Sequence, residues 1–354
     1  MQSEPESNKH VENGIDALIS PFFKTDWKPA PYRQLIQEEH KQALHDSGYL
    51  VLKQFFSSHT VGKLNKLFGE HQHIGVNEIG MFMSAYSKDI VYRKEVHRRI
   101  GVIIEPELNS IFTAFKPVIY NFVIKESRPE HALPVHQDLA LLDENLASPI
   151  NIWTCMVDTD INNGPVCLIP KTQYFFPPHR SKHSDAVINN ISDQLKEYAI
   201  PICLEAGDLL VFDSRLIHYS KPNISGKDRM AAVCYLYPDD APFRMIAKVM
   251  DGKDDEFEIR DFEREDLFRE MNFEDPNKTG FAGRNTEPII LSSVAISPKQ
   301  LDDYFTKLKV PKTKIPILSA ADPSESDTVR KPRTLAEIFT LISARLKKPK
   351  TPSS

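Results

Sequence analysis

VIYNFVIK at residues 118–125 opens the stretch that decides the fold. INIWTCMVD (150–158), GPVCLIP (164–170), AIPICLE (199–205), DLLVFDSRLIHYS (208–220) and MAAVCYLYP (230–238) follow it, separated by Asn-Gly, Pro and Gly signals. These runs are short and apolar or alternating, and they are rich in β-branched and aromatic residues. Many short strands with turn punctuation predict an antiparallel sandwich or barrel over about 118–238.

Working outward, Leu35 to Ser47 reads as a helix, and Gly48-Tyr-Leu-Val-Leu-Lys-Gln-Phe-Phe56 reads as a strand behind a glycine punctuator. Ser57-Ser-His-Thr60 can cap a second helix carrying Val61, Leu64, Leu67 and Phe68 at helical spacing. Residues 1–34 are polar and proline-bearing, so order is expected to begin after them. Downstream, 251–275 holds twelve acidic against four basic residues, and the spacing of Phe262, Leu267, Phe268 and Met271 suits a helix with a solvated acidic face. From 307 to 354 the sign reverses, with eleven Lys or Arg, four acids and six prolines. There 309–332 reads as an extended linker, and Thr334–Lys348 as an amphipathic helix that must dock its apolar face. The expected organisation is an N-terminal extension (1–34), a catalytic domain (35–245), a helical or mixed extension packing on it (246–308) and a basic, Pro-rich tail (309–354).

The 354 residues are 41% hydrophobic, enough to bury a sizeable core. A charged fraction of 26% and a net charge of −5 give no global argument for a nucleic-acid or membrane partner. The acidic N-terminus lacks the basic start and apolar run of a secretory signal, and no apolar stretch approaches the roughly 18 residues of a membrane span. A cytoplasmic location is expected. The four cysteines, Cys155, Cys167, Cys203 and Cys234, lie in β-like segments without CxxC spacing and read as buried, reduced thiols.

The chemistry sits in Pro134-Val-His-Gln-Asp138. On an extended backbone, residues two apart share a face, so His136 and Asp138 can reach one ion. Two histidines and one carboxylate on one face of an octahedron hold Fe(II) in non-haem oxygenases. His218 is the best candidate for the second histidine, because it ends a strand-like run that begins at the tight-turn pair Gly207-Asp208. Eleven residues on, Arg229 opens the next strand, where its planar fork would need a carboxylate, and Ser220 could add a hydroxyl to the same anion. Each element alone arises easily by chance. The ordered combination on a β-rich background does not. His131, His179 and His183 sit in polar loops and read as surface residues.

These motifs, with Gly48-Tyr49 and Asn163-Gly-Pro-Val-Cys-Leu-Ile-Pro170, resemble the phytanoyl-CoA dioxygenase-like family of Fe(II)/2-oxoglutarate oxygenases over roughly Glu38 to Pro238. The resemblance implies a mainly β fold with flanking helices, built on a double-stranded β-helix of the jelly-roll or cupin-like type. It further implies iron on His136, Asp138 and His218, 2-oxoglutarate on Arg229 and Ser220, and Trp153 as an aromatic beside that co-substrate. O2 would be consumed, ascorbate could stimulate, and a small-molecule substrate would be hydroxylated or desaturated. Related halogenating enzymes lack the carboxylate that Asp138 supplies. Where the family often continues from its proline into Gly-Ser-His, this chain has Lys171-Thr-Gln173 after Pro170.

Candidates for the pocket mouth are Tyr120, Asn121, Gln137, Leu139, Leu141, Tyr174, Phe175 and Phe176, although strands buried on both faces are apolar whatever the function. Two other classes stay open: a cupin-like metalloenzyme that does not use 2-oxoglutarate, and a non-catalytic, protein-binding member of the fold. The C-terminal helix could serve as a homodimer interface.

Overall fold

The computed structural model describes residues 29–70, 81–175, 188–248, 256–270, 289–290 and 296–313. In chain order the strands are β1 (Tyr49–Leu52), β2 (Met81–Met83), β3 (Phe115–Pro117), β4 (Asn121–Lys125), β5 (Leu133–His136), β6 (Ile150–Cys155) and β7 (Val166–Leu168). They continue as β8 (Ile200–Ile202), β9 (Leu209–Asp213), β10 (His218–Ser220), β11 (Arg229–Pro238), β12 (Phe243–Lys248), β13 (Glu256–Phe262) and β14 (Ile289–Ile290).

Strands β4 to β11 switch between two antiparallel sheets at every step except β7 to β8, which form a hairpin within the smaller one. The larger has the order β1-β9-β6-β11-β4-β2, with β3 also on β11, and the smaller has the order β5-β10-β7-β8. This alternation is the double-stranded β-helix, the expected fold. It closes a sandwich in which each strand shows one face to the interior and one to covering elements. On β11, for example, Ala232, Cys234 and Leu236 join the outer core while Ala231 lies inside.

Two helices, Ser58–Glu70 and Ile90–Leu108, cover the larger sheet with Leu64, Leu67, Val96, Ile100 and Ile104 against Phe122, Ile150, Ile152, Leu209 and Val211. The smaller sheet is covered by helix Pro298–Lys307, whose Leu301, Tyr304 and Phe305 pack on Val135, Cys167 and Tyr219. Its start is fixed by a capping box in which Ser297 and Gln300 satisfy each other's backbone N–H groups. The predicted cap at Ser57 is also present, its hydroxyl accepting from the Thr60 N–H at 3.2 Å.

Several expectations need correction. Order does not begin only after residue 34: Tyr32 and Gln34 are fully buried. The Gln34 amide donates to the Ser148 and Leu236 carbonyls, and the Tyr32 hydroxyl to Asp213, so polar composition here serves internal hydrogen bonds. Cys203 is exposed, unlike the other three thiols. Among the described residues of 251–275 the helix spans Arg264–Glu270, burying Leu267 and Phe268, while 256–262 pairs with β12 as a strand. The segment EFEIRDF has the two-residue alternation of a strand, which the acidic charge count obscured. Phe176, His179, His183 and the helix expected at Thr334–Lys348 lie outside the described residues.

Candidate metal centre and anion pocket

Strand β5 delivers His136 and β10 delivers His218, and the register places the two directly opposite each other. Their rings are 4.2 Å apart between centroids. Asp138 follows just beyond β5, with Oδ1 3.8 Å from Nε2 of each histidine. Gln137 between them turns away to donate to the Arg215 carbonyl, so the odd-even alternation that sends 136 and 138 inward also anchors the intervening residue. The three ligand atoms lie within 4.8 Å of one another, an arrangement able to hold one metal ion.

Both imidazoles are oriented from behind. Nδ1 of His136 donates to the Pro134 carbonyl and Nδ1 of His218 to the Leu216 carbonyl, each at 2.9 Å. In the neutral ring this tautomer puts the lone pair on Nε2, on the side of Asp138, as a metal requires. Burial holds His136 neutral, pushing its pKa down to about 4, with His218 adding to the effect. The Asn151 amide donates to Asp138 Oδ2 at 3.0 Å, the Tyr235 hydroxyl bonds the same carboxylate, and the Phe212 ring sits 5.3 Å from that of His218. The donor set of two imidazoles and one braced carboxylate fits Fe(II).

Deeper in the interior, Arg229 is 2% exposed and lies over the Trp153 ring at 5.2 Å. One guanidinium nitrogen donates to the Gly164 carbonyl, while the buried Nε has no partner among the described residues. Directly across the β4–β11 ladder stands Lys125, fully buried, whose Nζ donates to Ser220 Oγ at 3.0 Å. No acidic side chain among the described residues pairs with either cation. Burial lowers the Arg229 pKa to about 10, and burial together with Arg229 drives that of Lys125 well below its ordinary value. Desolvating an uncompensated charge costs several kcal/mol, so a buried guanidinium beside a buried amine is built for an anion.

Gly164 shapes this pocket by its lack of a side chain. Its φ is +71°, and a Cβ there would lie 2.5 Å from the Lys221 carbonyl and 2.9 Å from Lys125 Cε. Gly164→Ala is expected to cost about 1–3 kcal/mol in backbone strain alone. It should lower the melting temperature and weaken anion binding, because the carbonyl that braces Arg229 must move. An unchanged melting curve would contradict this role.

Among the residues expected at the site, His136, Asp138, His218, Ser220, Trp153 and Arg229 come together on the interior faces. Asn121 also lies on the interior face of β4, its amide donating to the Val233 carbonyl at 3.3 Å. Leu139, like Tyr86 and Tyr235, packs against the buried cluster that includes Leu141, Leu142 and Tyr237. Tyr120 is not brought to the pocket: it belongs to the outer core and stacks on His97 of helix Ile90–Leu108. Tyr174 lies instead against His45 and Arg215, and Phe175 against Tyr304 under the smaller sheet. Lys125, Asn151, Tyr235 and the Gly164 carbonyl went unforeseen. The position of Lys125 as last residue of VIYNFVIK was visible, but not its pairing with Arg229.

A double-stranded β-helix with a His-Asp-His triad and a buried cationic pocket is the architecture of a metal-dependent oxygenase. The chain belongs to the phytanoyl-CoA dioxygenase family, whose model matches residues 44–231. It is 24% identical over 127 residues to the phytanoyl-CoA dioxygenase domain-containing protein 1 homolog of Dictyostelium discoideum, an alignment covering 34% of this chain and 45% of that protein's length. Among solved structures it is similar to the non-haem α-ketoglutarate-dependent carbocyclase SnoK of nogalamycin biosynthesis, at 17% identity and a TM-score of 0.43, covering 61% of this chain and 89% of that one. It is likewise similar to HygX of Streptomyces hygroscopicus, solved with nickel, 2-oxoglutarate and hygromycin B, at 12% identity and a TM-score of 0.41, covering 58% and 88% of the two chains. The fold rests on strand order and register, independently of these two likenesses. Among the described residues no helix is long and apolar enough to cross a membrane.

Proposed function

We propose that the protein is an Fe(II)- and 2-oxoglutarate-dependent dioxygenase that hydroxylates or desaturates an unactivated C–H bond of a small or carrier-bound metabolite, in the cytoplasm. The observation that carries this reading is the acid-free pair Arg229 and Lys125 on the same interior as the triad. A metal centre alone would not need it, and this disfavours a cupin-like enzyme working without a dicarboxylate co-substrate. A non-catalytic member of the fold would likewise have no reason to bury a guanidinium and an amine side by side without an acidic partner.

His136, Asp138 and His218 would hold the iron, which together with O2 and the keto acid supplies the oxidising power, releasing succinate and CO2. The protein's own work is positional. Arg229, stacked on Trp153, would fix the distal carboxylate of 2-oxoglutarate by charge-assisted hydrogen bonds, with Ser220 as a further donor. The carbonyls of Pro134 and Leu216 keep both histidines in the ligating tautomer, and Asn151 and Tyr235 hold the Asp138 carboxylate in place. Asn121 and Leu139 are the pocket-side residues left to meet a substrate, with Gln137 supporting the ligand strand.

The test is succinate release from 2-oxoglutarate by the purified protein with Fe(II) and ascorbate in air, without prime substrate. Slow, iron-dependent succinate formation is expected. Its absence, together with no detectable 2-oxoglutarate binding, would overturn the reading. Metabolite profiling with and without the gene would then find the substrate.

A further inference from the structure

Resting on the proposed function, we infer that Lys125 is a positioning residue of the co-substrate pocket, holding the Ser220 hydroxyl so that it donates to the distal carboxylate of 2-oxoglutarate. Three observations converge on it. Lys125 is fully buried although lysine is almost never so without a partner. Its one side-chain hydrogen bond among the described residues, 3.0 Å to Ser220 Oγ, donates into the oxygen's lone pair and leaves the serine proton free to point elsewhere. And it stands across the ladder from Arg229, packed against Gly164, whose carbonyl braces the guanidinium.

The charged or titratable groups facing the amine are Arg229 on β11 and Cys167 on β7, with His131 in the loop before β5 also within electrostatic reach of it. Strand β2 brings only Met81 opposite it, and β10 brings Ser220. Neither of these two carries a charge. Burial, with Arg229 as neighbour, holds the amine toward its neutral form, in which it still donates a hydrogen bond. An arriving carboxylate favours the protonated form, so co-substrate binding is linked to proton uptake at Nζ, and affinity should rise as pH falls below the ordinary lysine range.

The experiment is calorimetric titration of the Fe(II)-loaded protein, without oxygen, with 2-oxoglutarate and with 2-oxovalerate, which keeps the keto acid end but lacks the distal carboxylate. Lys125→Met should lose about tenfold or more in 2-oxoglutarate affinity, as expected when one contact to a buried charge is disturbed. It should bind 2-oxovalerate as the wild type does, and it should lose the pH slope. Ser220→Ala should lose selectivity similarly, and the double variant should lose little more than either single one, because the two residues act as a unit. Lys125→Met with wild-type selectivity and pH slope would overturn the inference, as would additive losses in the double variant. Ser220→Ala keeps the lysine side chain and removes only the hydroxyl it holds, so retained selectivity there overturns it whatever the stability of Lys125→Met. Wild-type protein that binds no 2-oxoglutarate would instead refute the functional reading on which this rests.

Discussion

Asp138→Ala is expected to abolish 2-oxoglutarate decarboxylation while leaving the fold intact. The carboxylate is the only anionic member of the triad, with Oδ1 3.8 Å from both imidazole nitrogens. Without it, two histidines and no anionic ligand remain, and the ligand set that selects Fe(II) is lost. The fold should survive because Asp138 lies beyond the end of β5 and outside the sheet ladders, and its partners Asn151 and Tyr235 are held by β6 and β11. The measurement pairs succinate formation with a melting curve. A variant that turned over like the wild type would remove Asp138 from the metal centre.

The second large effect is expected at the other end of the pocket. Arg229→Ala should raise the 2-oxoglutarate requirement well over tenfold while iron affinity stays nearly unchanged. Truncating one partner of a buried, charge-assisted contact costs roughly 2–5 kcal/mol, which at about 1.4 kcal/mol per decade corresponds to between one and four decades in affinity. The guanidinium reaches no metal ligand. Its recorded contacts are the Trp153 face and the Gly164 carbonyl, which is why the loss should fall on the co-substrate alone. Equal 2-oxoglutarate affinity in the two proteins would refute the anchor.

What the sequence made legible was set by alternation. His136 and Asp138 share a face because they are two apart, and His218 and Arg229 flank a short connection in a β-rich region, so these positions could be named without coordinates. Lys125 could not. A lysine at the end of a strand is ordinarily solvated, and only the non-local pairing of β4 with β11, more than a hundred residues apart, turns it inward. The braces on Asp138 were hidden for the same reason, since Asn151 and Tyr235 are register partners on strands distant in sequence. Tyr120 failed in the opposite direction. It adjoins β4, but its ring falls on the face covered by helix Ile90–Leu108, and aromatic character alone does not distinguish the two faces. Residues 30–34 were misread because Gln34 and Tyr32 look like surface residues until the carbonyls and carboxylate that they satisfy are in view.

Those last residues bear on how the protein can be trimmed. The segment matched by the family model, 44–231, would be a natural choice for a minimal clone, yet it ends inside β11 and starts after Tyr32 and Gln34. Asp213, which accepts from Tyr32, also grips Arg215 in the turn between β9 and β10, and that turn leads directly to His218. Cutting the leader would leave a buried carboxylate with one partner fewer at the hinge that sets a metal ligand. A shortened version could therefore arrive soluble and inert, with every ligand residue still present, and its silence would say nothing about the chemistry of the whole chain.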